Sequence, residues 1–213
     1  MKNYTKIIVN KLKCISIGEI IIFVFPVIAI YIIFTYVIAV TVVQSGSMEP
    51  ILKIGNTVFY NRLAYRNELP RRGDIVLFYS DEYAAYFAKR IIGIPGDTIL
   101  FENGQIYING KLFDESDYIE DNVKSYGMIV LKNTTTNELT SMGQDFFVVP
   151  SNSYFMMGDN RENSDDSRYW DNPYIPYEKI IGNYVGQIDF SFQFDIFHDY
   201  PNDVKKSDLI KFN

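Results

Sequence analysis

A chain of 213 residues with 47% hydrophobic side chains is too apolar for a disordered segment and long enough for one domain plus an extra element. The formal net charge of −6 is unevenly spread: residues 1–18 carry Lys2, Lys6, Lys11 and Lys13 and no acid, so the rest sums to about −10. An acidic main body lacks the concentrated Lys/Arg surface that phosphate neutralisation needs, which excludes nucleic acid as an expected partner.

Residues 1–18 read as a basic terminus. The next segment, 19–43, reads as a membrane anchor. From Ile20 to Val43, 24 consecutive residues carry no charge. As one helix they would extend about 36 Å at about 1.5 Å per residue, slightly more than a bilayer's hydrocarbon core. Pro26 lies early in the run, where a membrane helix tolerates it with a kink. A cleaved secretory signal has a shorter apolar core, of about 7–15 residues, followed by a small-residue cleavage site. Val42-Val43-Gln44-Ser45 does not offer one. Four lysines before the span place the N-terminus in the cytoplasm by the positive-inside rule, and everything after Val43 outside.

Beyond the span, residues 44–197 change to short alternating runs broken by turn residues, the pattern of a mostly β extracytoplasmic domain. Strands are predicted at 57–60, 74–78, 87–94, 99–102, 105–108, 128–132, 146–149, 154–157 and 180–192. Asn103-Gly104 and Asn109-Gly110 predict two tight hairpin turns. Residues 112–145 are polar and weakly patterned, an excursion from the core. Residues 198–213 form a polar tail. Cys14 is the single cysteine and His198 the single histidine. Neither a disulfide nor a cysteine metal cluster can form within the chain, and few bases are on offer to activate a nucleophile.

Three clusters carry the candidate chemistry. Directly after the span comes Gln44-Ser45-Gly46-Ser47-Met48-Glu49-Pro50, a sharp turn that can expose a hydroxyl; alone, it is also an ordinary linker. The second is Phe87-Ala88-Lys89-Arg90-Ile91-Ile92-Gly93-Ile94-Pro95-Gly96-Asp97, with a lysine inside an apolar strand. An ordinary lysine titrates near about 10.4, so a base useful near neutrality needs that lowered by roughly 3 units, about 4 kcal/mol of disfavoured charge. Burial among Phe87, Ala88, Ile91 and Met48 would supply the desolvation, and Arg90 would add like-charge repulsion; a solvent-facing lysine is the alternative. The third, from Met157 to Trp170, contains Gly158-Asp159-Asn160-Arg161 and Ser164-Asp165-Asp166-Ser167-Arg168. Its acids could serve as oxygen ligands, but the spacing is not that of an EF-hand loop, and Arg161 and Arg168 offer carboxylate partners. No metal and no cofactor are expected.

Taken together and in this order, the clusters resemble bacterial type I signal peptidases, across most of the chain. The resemblance implies a signal-peptidase-type β domain in which Ser47 is the nucleophile and Lys89 the general base. It implies that the Ser47 N–H and the Ser45 hydroxyl hold the oxyanion. Ser164 would orient the Lys89 amine, Asp159 would pair with Arg90, and Asp166 and Arg168 would brace the loop. His198 is then a surface residue. The implied partners are the lipid bilayer and signal peptides of exported preproteins, each peptide lying as an added strand between the strand before Ser45 and the strand ending at Ala88. Val43, Met48, Leu52, Phe87 and Ala88 would line pockets for small residues at the first and third positions before the cut. Ile51 stands where the family usually has Thr. The endoplasmic-reticulum branch has His where this chain has Lys89. The same motifs leave open a dedicated pilus or conjugation peptidase, or a non-catalytic homologue acting in assembly. A self-cleaving repressor of related chemistry would need a DNA-binding domain and no span.

Overall fold

The computed structural model describes residues 17–120, 123–127, 130–132, 139–141 and 146–189. The basic terminus before Ile17, the tail from 198 with His198, and the end of the strand predicted to reach residue 192 lie outside the described residues.

The uncharged run is divided, which corrects the single anchor expected over 19–43. Helix α1 (Ile17–Ile32) passes through a π turn (Ile33–Val37) and gives way to strand β1 (Ile38–Val42). Hydropathy cannot find this boundary, because an apolar helix and an apolar strand read alike. Side-chain shape does not mark it either, since Ile20, Ile21, Ile22, Val24, Val27 and Ile28 in the helix are β-branched as well; the division follows tertiary pairing, Ile38–Val42 lying antiparallel beside Thr57–Asn61. The helical part, Gly18–Val37, keeps 20 residues, about 30 Å at about 1.5 Å per residue, still enough to cross a bilayer core. None of it is buried against the rest of the chain.

The body is antiparallel β. After β1 come β2 (Thr57–Asn61), β3 (Ile75–Ser80), β4 (Ala85–Gly93), β5 (Thr98–Glu102), β6 (Gln105–Ile108) and β7 (Lys111–Leu112). Then follow β8 (Val130–Lys132), β9 (Leu139–Ser141), β10 (Phe146–Val148), β11 (Ser153–Met157), β12 (Tyr174–Pro176) and β13 (Ile180–Ile188). Seven strands form one sheet in the order β1-β2-β13-β3-β4-β11-β12, four form a second in the order β10-β5-β6-β7, and β8 pairs with β9. Both Asn-Gly pairs adopt positive φ at each residue (54° and 79°, 53° and 74°), the geometry that lets two residues reverse a twisted strand pair. The short β7, β9 and β12 stand outside the predicted strands, and β1 is the strand before Ser45 that the family resemblance implies.

Strand β4 organises the molecule because its two faces serve two cores. Phe87 and Ile91 pack with Val76, Phe78, Tyr154 and Trp170 on one side. Ala88 packs with Met48, Leu52, Leu77 and Tyr60 on the other. At its far end Gly93 pairs with Phe155 and feeds the Pro95-Gly96 turn into the smaller sheet, whose core is Ile99, Phe101, Ile106 and Phe147. A residue midway along β4 therefore meets the loop after β11 and the turn after β1 together. Lys89 is that residue.

Candidate active site

Lys89 lies midway along β4, two residues after Phe87, and it is 2% exposed. Its amine donates to Ser164 Oγ at 2.8 Å, and Ser164 Oγ in turn donates to Asp166 Oδ2 at 2.6 Å. Burial drives the Lys89 ammonium down from its ordinary value to about 8. Asp166, Asp165 and Asp159 draw it back up, while Arg168 reinforces the fall. The expected repulsion from Arg90 is not what lowers it. Asp159 clamps the Arg90 guanidinium through Nε–Oδ1 at 2.8 Å and Nη2–Oδ2 at 2.7 Å, which neutralises its charge locally. Arg90 also donates to the Gly73 carbonyl at 2.7 Å and stacks over the Tyr118 ring at 3.9 Å.

Asp166 is fully buried and accepts five hydrogen bonds. Arg168 reaches it through Nε at 2.8 Å, Nη2 at 2.9 Å and its backbone N–H at 3.3 Å, and the Gly158 N–H and Ser164 hydroxyl complete the set. Burial alone would raise this carboxyl; Arg168, with Lys89 and Ser164, more than offsets that and holds it below the usual carboxylate range. The loop is thus rigid for a definite reason: each buried charge has a partner of opposite sign and several hydrogen bonds.

Ser47 sits in the 3-10 turn Gly46–Met48, anchored by fully buried Met48 and Leu52. Its Oγ lies 3.4 Å from Ser45 Oγ. The turn is tied to the third cluster from behind. Asn160 donates its backbone N–H to the Ser47 carbonyl at 3.1 Å and its side-chain amide to the Gly46 carbonyl at 2.9 Å. Gly158 marks where the three clusters converge: a Cβ there would stand 2.2 Å from Ser164 Oγ and 2.3 Å from the Ser47 carbonyl. Only a residue without a side chain permits this approach. No hydrogen bond joins Ser47 Oγ to the Lys89 amine among the described residues. In this state the amine rests on Ser164.

In front of Ser47 lies a cleft of about 670 Å³ lined by Val43, Ser45, Ser47, Met48, Leu52, Phe87 and Ala88, with Thr41, Tyr60 and Tyr86 among the further lining residues. It is bounded by two open strand edges. Among the described residues, strand β1 pairs only with β2, and residues 85–88 of β4 pair only with β3, since the pairing of β4 with β11 covers Arg90 to Gly93. Phe87 lines the cleft while its ring packs on Trp170 and Phe78 at 5.7 and 6.1 Å, so it acts more as a wall than as a pocket floor. Among the described residues, no group of three or more His, Cys, Asp or Glu is placed to hold a metal ion.

A buried lysine amine, paired hydroxyls and an open-edged cleft are the parts that hydrolysis of an extended peptide requires. The family pattern described as "Signal peptidase, peptidase S26" matches residues 15–188, which takes in α1, all three clusters and β13. The chain belongs to this family. It is 34% identical over 154 residues to a probable signal peptidase I-2 of Synechocystis sp., covering 70% of this chain and 62% of that relative's length. It is 30% identical over 220 residues to a signal peptidase I of Pseudomonas aeruginosa, covering 89% and 75%. A signal peptidase I P of Bacillus subtilis subsp. natto is 36% identical over 143 residues, covering 66% and 72%.

For this signal peptidase family member, sequence reasoning passed over several residues that shape the site. Asn160 and Gly158 stand inside the third motif, but nothing in a one-dimensional string shows that they touch the Ser47 turn. Glu115 and Ser125 bond the buried Arg161, and Tyr118 covers Arg90. All three come from the 112–145 segment, whose first part therefore folds back onto the site. Alternating Glu115 and Tyr118 with a downstream arginine was too weak a signal to pair them.

Proposed function

We propose that this chain is a membrane-anchored serine endopeptidase that removes N-terminal signal peptides from exported preproteins after small residues of the Ala-x-Ala type. The observation that carries the reading is the Lys89 amine: buried, lowered to about 8, and fixed by Ser164 beside the Ser47 turn. At that value about one amine in ten is neutral at pH 7, against fewer than about one in a thousand for an ordinary lysine. The neutral amine takes the Ser47 proton as Oγ attacks the scissile carbonyl. The Ser47 N–H and the Ser45 hydroxyl stabilise the oxyanion, and the Lys89 ammonium returns the proton to the leaving amine. Lys89 next deprotonates the water that hydrolyses the acyl-enzyme. Asp159–Arg90 and Asp166–Arg168 support the geometry without touching the reacting atoms.

The preprotein enters as an extended strand between residues 43–45 and 85–88, using the unpaired backbone groups on both edges. Its own apolar segment shares the bilayer with α1, which confines enzyme and cleavage site to one thin layer. Exposed Val40, Val42, Val185 and Ile188 continue the apolar surface of the helix onto the sheet, so the domain rests against the membrane surface. The four N-terminal lysines orient the helix with the N-terminus in the cytoplasm and the catalytic domain outside.

The test is incubation of the purified chain in detergent with a panel of precursors, followed by sequencing of the new N-termini. Cleavage directly after Ala-x-Ala is expected, and Ser47→Ala and Lys89→Ala each abolish it. Near-normal turnover by either variant would overturn the dyad.

A further inference from the structure

Tyr60 is the anomaly of the cleft. It projects from β2 into a largely aliphatic core, opposite Ala39 on β1 and Tyr184 on β13. The ring is held edge-on to Tyr184, with centroids 6.4 Å apart. The residue is 1% exposed, and its phenolic oxygen has no hydrogen-bond partner among the described residues. Burial pushes the phenol up to about 12, and the neighbouring Thr41 hydroxyl offsets part of that. A buried hydroxyl without a partner is costly, and native structures retain few of them. Phenylalanine would fill the same space without the penalty.

Tyr60 and Thr41 both line the cleft. Thr41 lies diagonally across the β1–β2 pair from Tyr60, on the same face, because its direct partner is Val58 and that of Tyr60 is Ala39. The two hydroxyls therefore stand together on the floor. Their place along the cleft follows from strand geometry. A bound peptide running beside residues 41–45 seats the residue before the cut near Ser47, over Met48, Leu52 and Ala88. The next side chain on that face belongs to the third residue before the cut, about 7 Å further along. That distance is two residues back from Val43, toward Thr41.

We propose that Tyr60 and Thr41 make the third-position pocket hydrogen-bonding, so that this enzyme selects a small hydroxyl residue there over its apolar isostere. The proposal rests on the peptidase reading above and adds a specificity that the reading does not require. A site built to hydrogen-bond a hydroxyl discriminates against the analogue that lacks it, because the buried protein groups are then left unpaired.

The discriminating substrates are two precursors identical except for Thr or Val at the third position, each with Ala at the first. The wild-type chain is expected to cleave the Thr precursor with a kcat/KM about tenfold above the Val precursor, the worth of one hydrogen bond. Tyr60→Phe should bring that ratio to about one, and Thr41→Val should lower it. A ratio is the informative readout, because a general loss of packing slows both substrates alike; a thermal melt of each variant establishes that it folds. A wild-type ratio near one, or an unchanged ratio in Tyr60→Phe, overturns the proposal and leaves the peptidase intact. Failure to cleave either precursor overturns the peptidase reading and the proposal with it.

Discussion

The two sides of Ser47 are built on opposite principles. Behind it, around Lys89, buried charges are held by dense hydrogen bonding: Asp166 alone accepts from Arg168, Ser164 and the Gly158 backbone, and Asp159 takes Arg90 in a fork. In front, the cleft is walled by Val43, Met48, Leu52 and Ala88 and bounded by two unpaired strand edges. Polar networks of the first kind fix atoms, because any displacement leaves a buried charge without its partner. Apolar walls of the second kind tolerate repacking at modest cost. On the proposed reading, chemistry lies where atoms cannot move, and recognition where many peptides must fit.

That contrast can be broken or sharpened by substitution on each side. The largest effect is expected for Lys89→Arg, which preserves positive charge but cannot deprotonate in this range, so turnover should fall by at least about four orders of magnitude. A working Arg variant would mean that the lysine is only a cationic anchor. Asp166→Asn leaves Arg168 buried without its counter-charge, and chemical denaturation should register a loss of about 3–5 kcal/mol.

Lys89→Met should move stability the other way. The folded pKa of Lys89 lies below its ordinary 10.5, at about 8, so between these values the folded chain holds fewer protons than the unfolded one. Wild-type stability must then rise with pH across that window. The Met variant is expected to be more stable by about 3 kcal/mol below pH 8, with the difference gone near pH 10.5. Gly158→Ala forces apart Ser164 and the Ser47 carbonyl and should lower kcat about a hundredfold in a folded chain. The smallest change belongs to the cleft. Ala88→Val narrows it and should shift the preference between Ala and a larger first residue about tenfold, measured as a ratio of kcat/KM values.

Much of this arrangement was legible because its elements are local. Two Asn-Gly pairs announce their turns, and alternating runs such as Thr57–Tyr60 and Gln105–Ile108 announce their strands. What was illegible depended on distance or on chemistry without periodicity. The end of the helical segment at Val37, after the π turn, is invisible to hydropathy because Ile38–Val42 is just as apolar. The partners of Arg161 lie 46 and 36 residues away in a polar segment that has no pattern to extend. The cation that depresses Lys89 was expected to be its neighbour Arg90 and is instead Arg168, because Asp159 has already neutralised Arg90. Sequence proximity is a poor guide to electrostatic proximity once a strand turns alternate residues to opposite faces.

The most direct measurement is the titration of one nitrogen. With isotopically labelled lysine in the Ser47→Ala chain, and Lys89 assigned by its loss in a second variant, the Nζ or Cε resonance can be followed by NMR from pH 6 to 12. A midpoint near 8 is predicted, well separated from the other lysines. A midpoint in the ordinary range near 10.5 would leave the site without a proton acceptor at neutral pH and contradict the assignment of Lys89 as base.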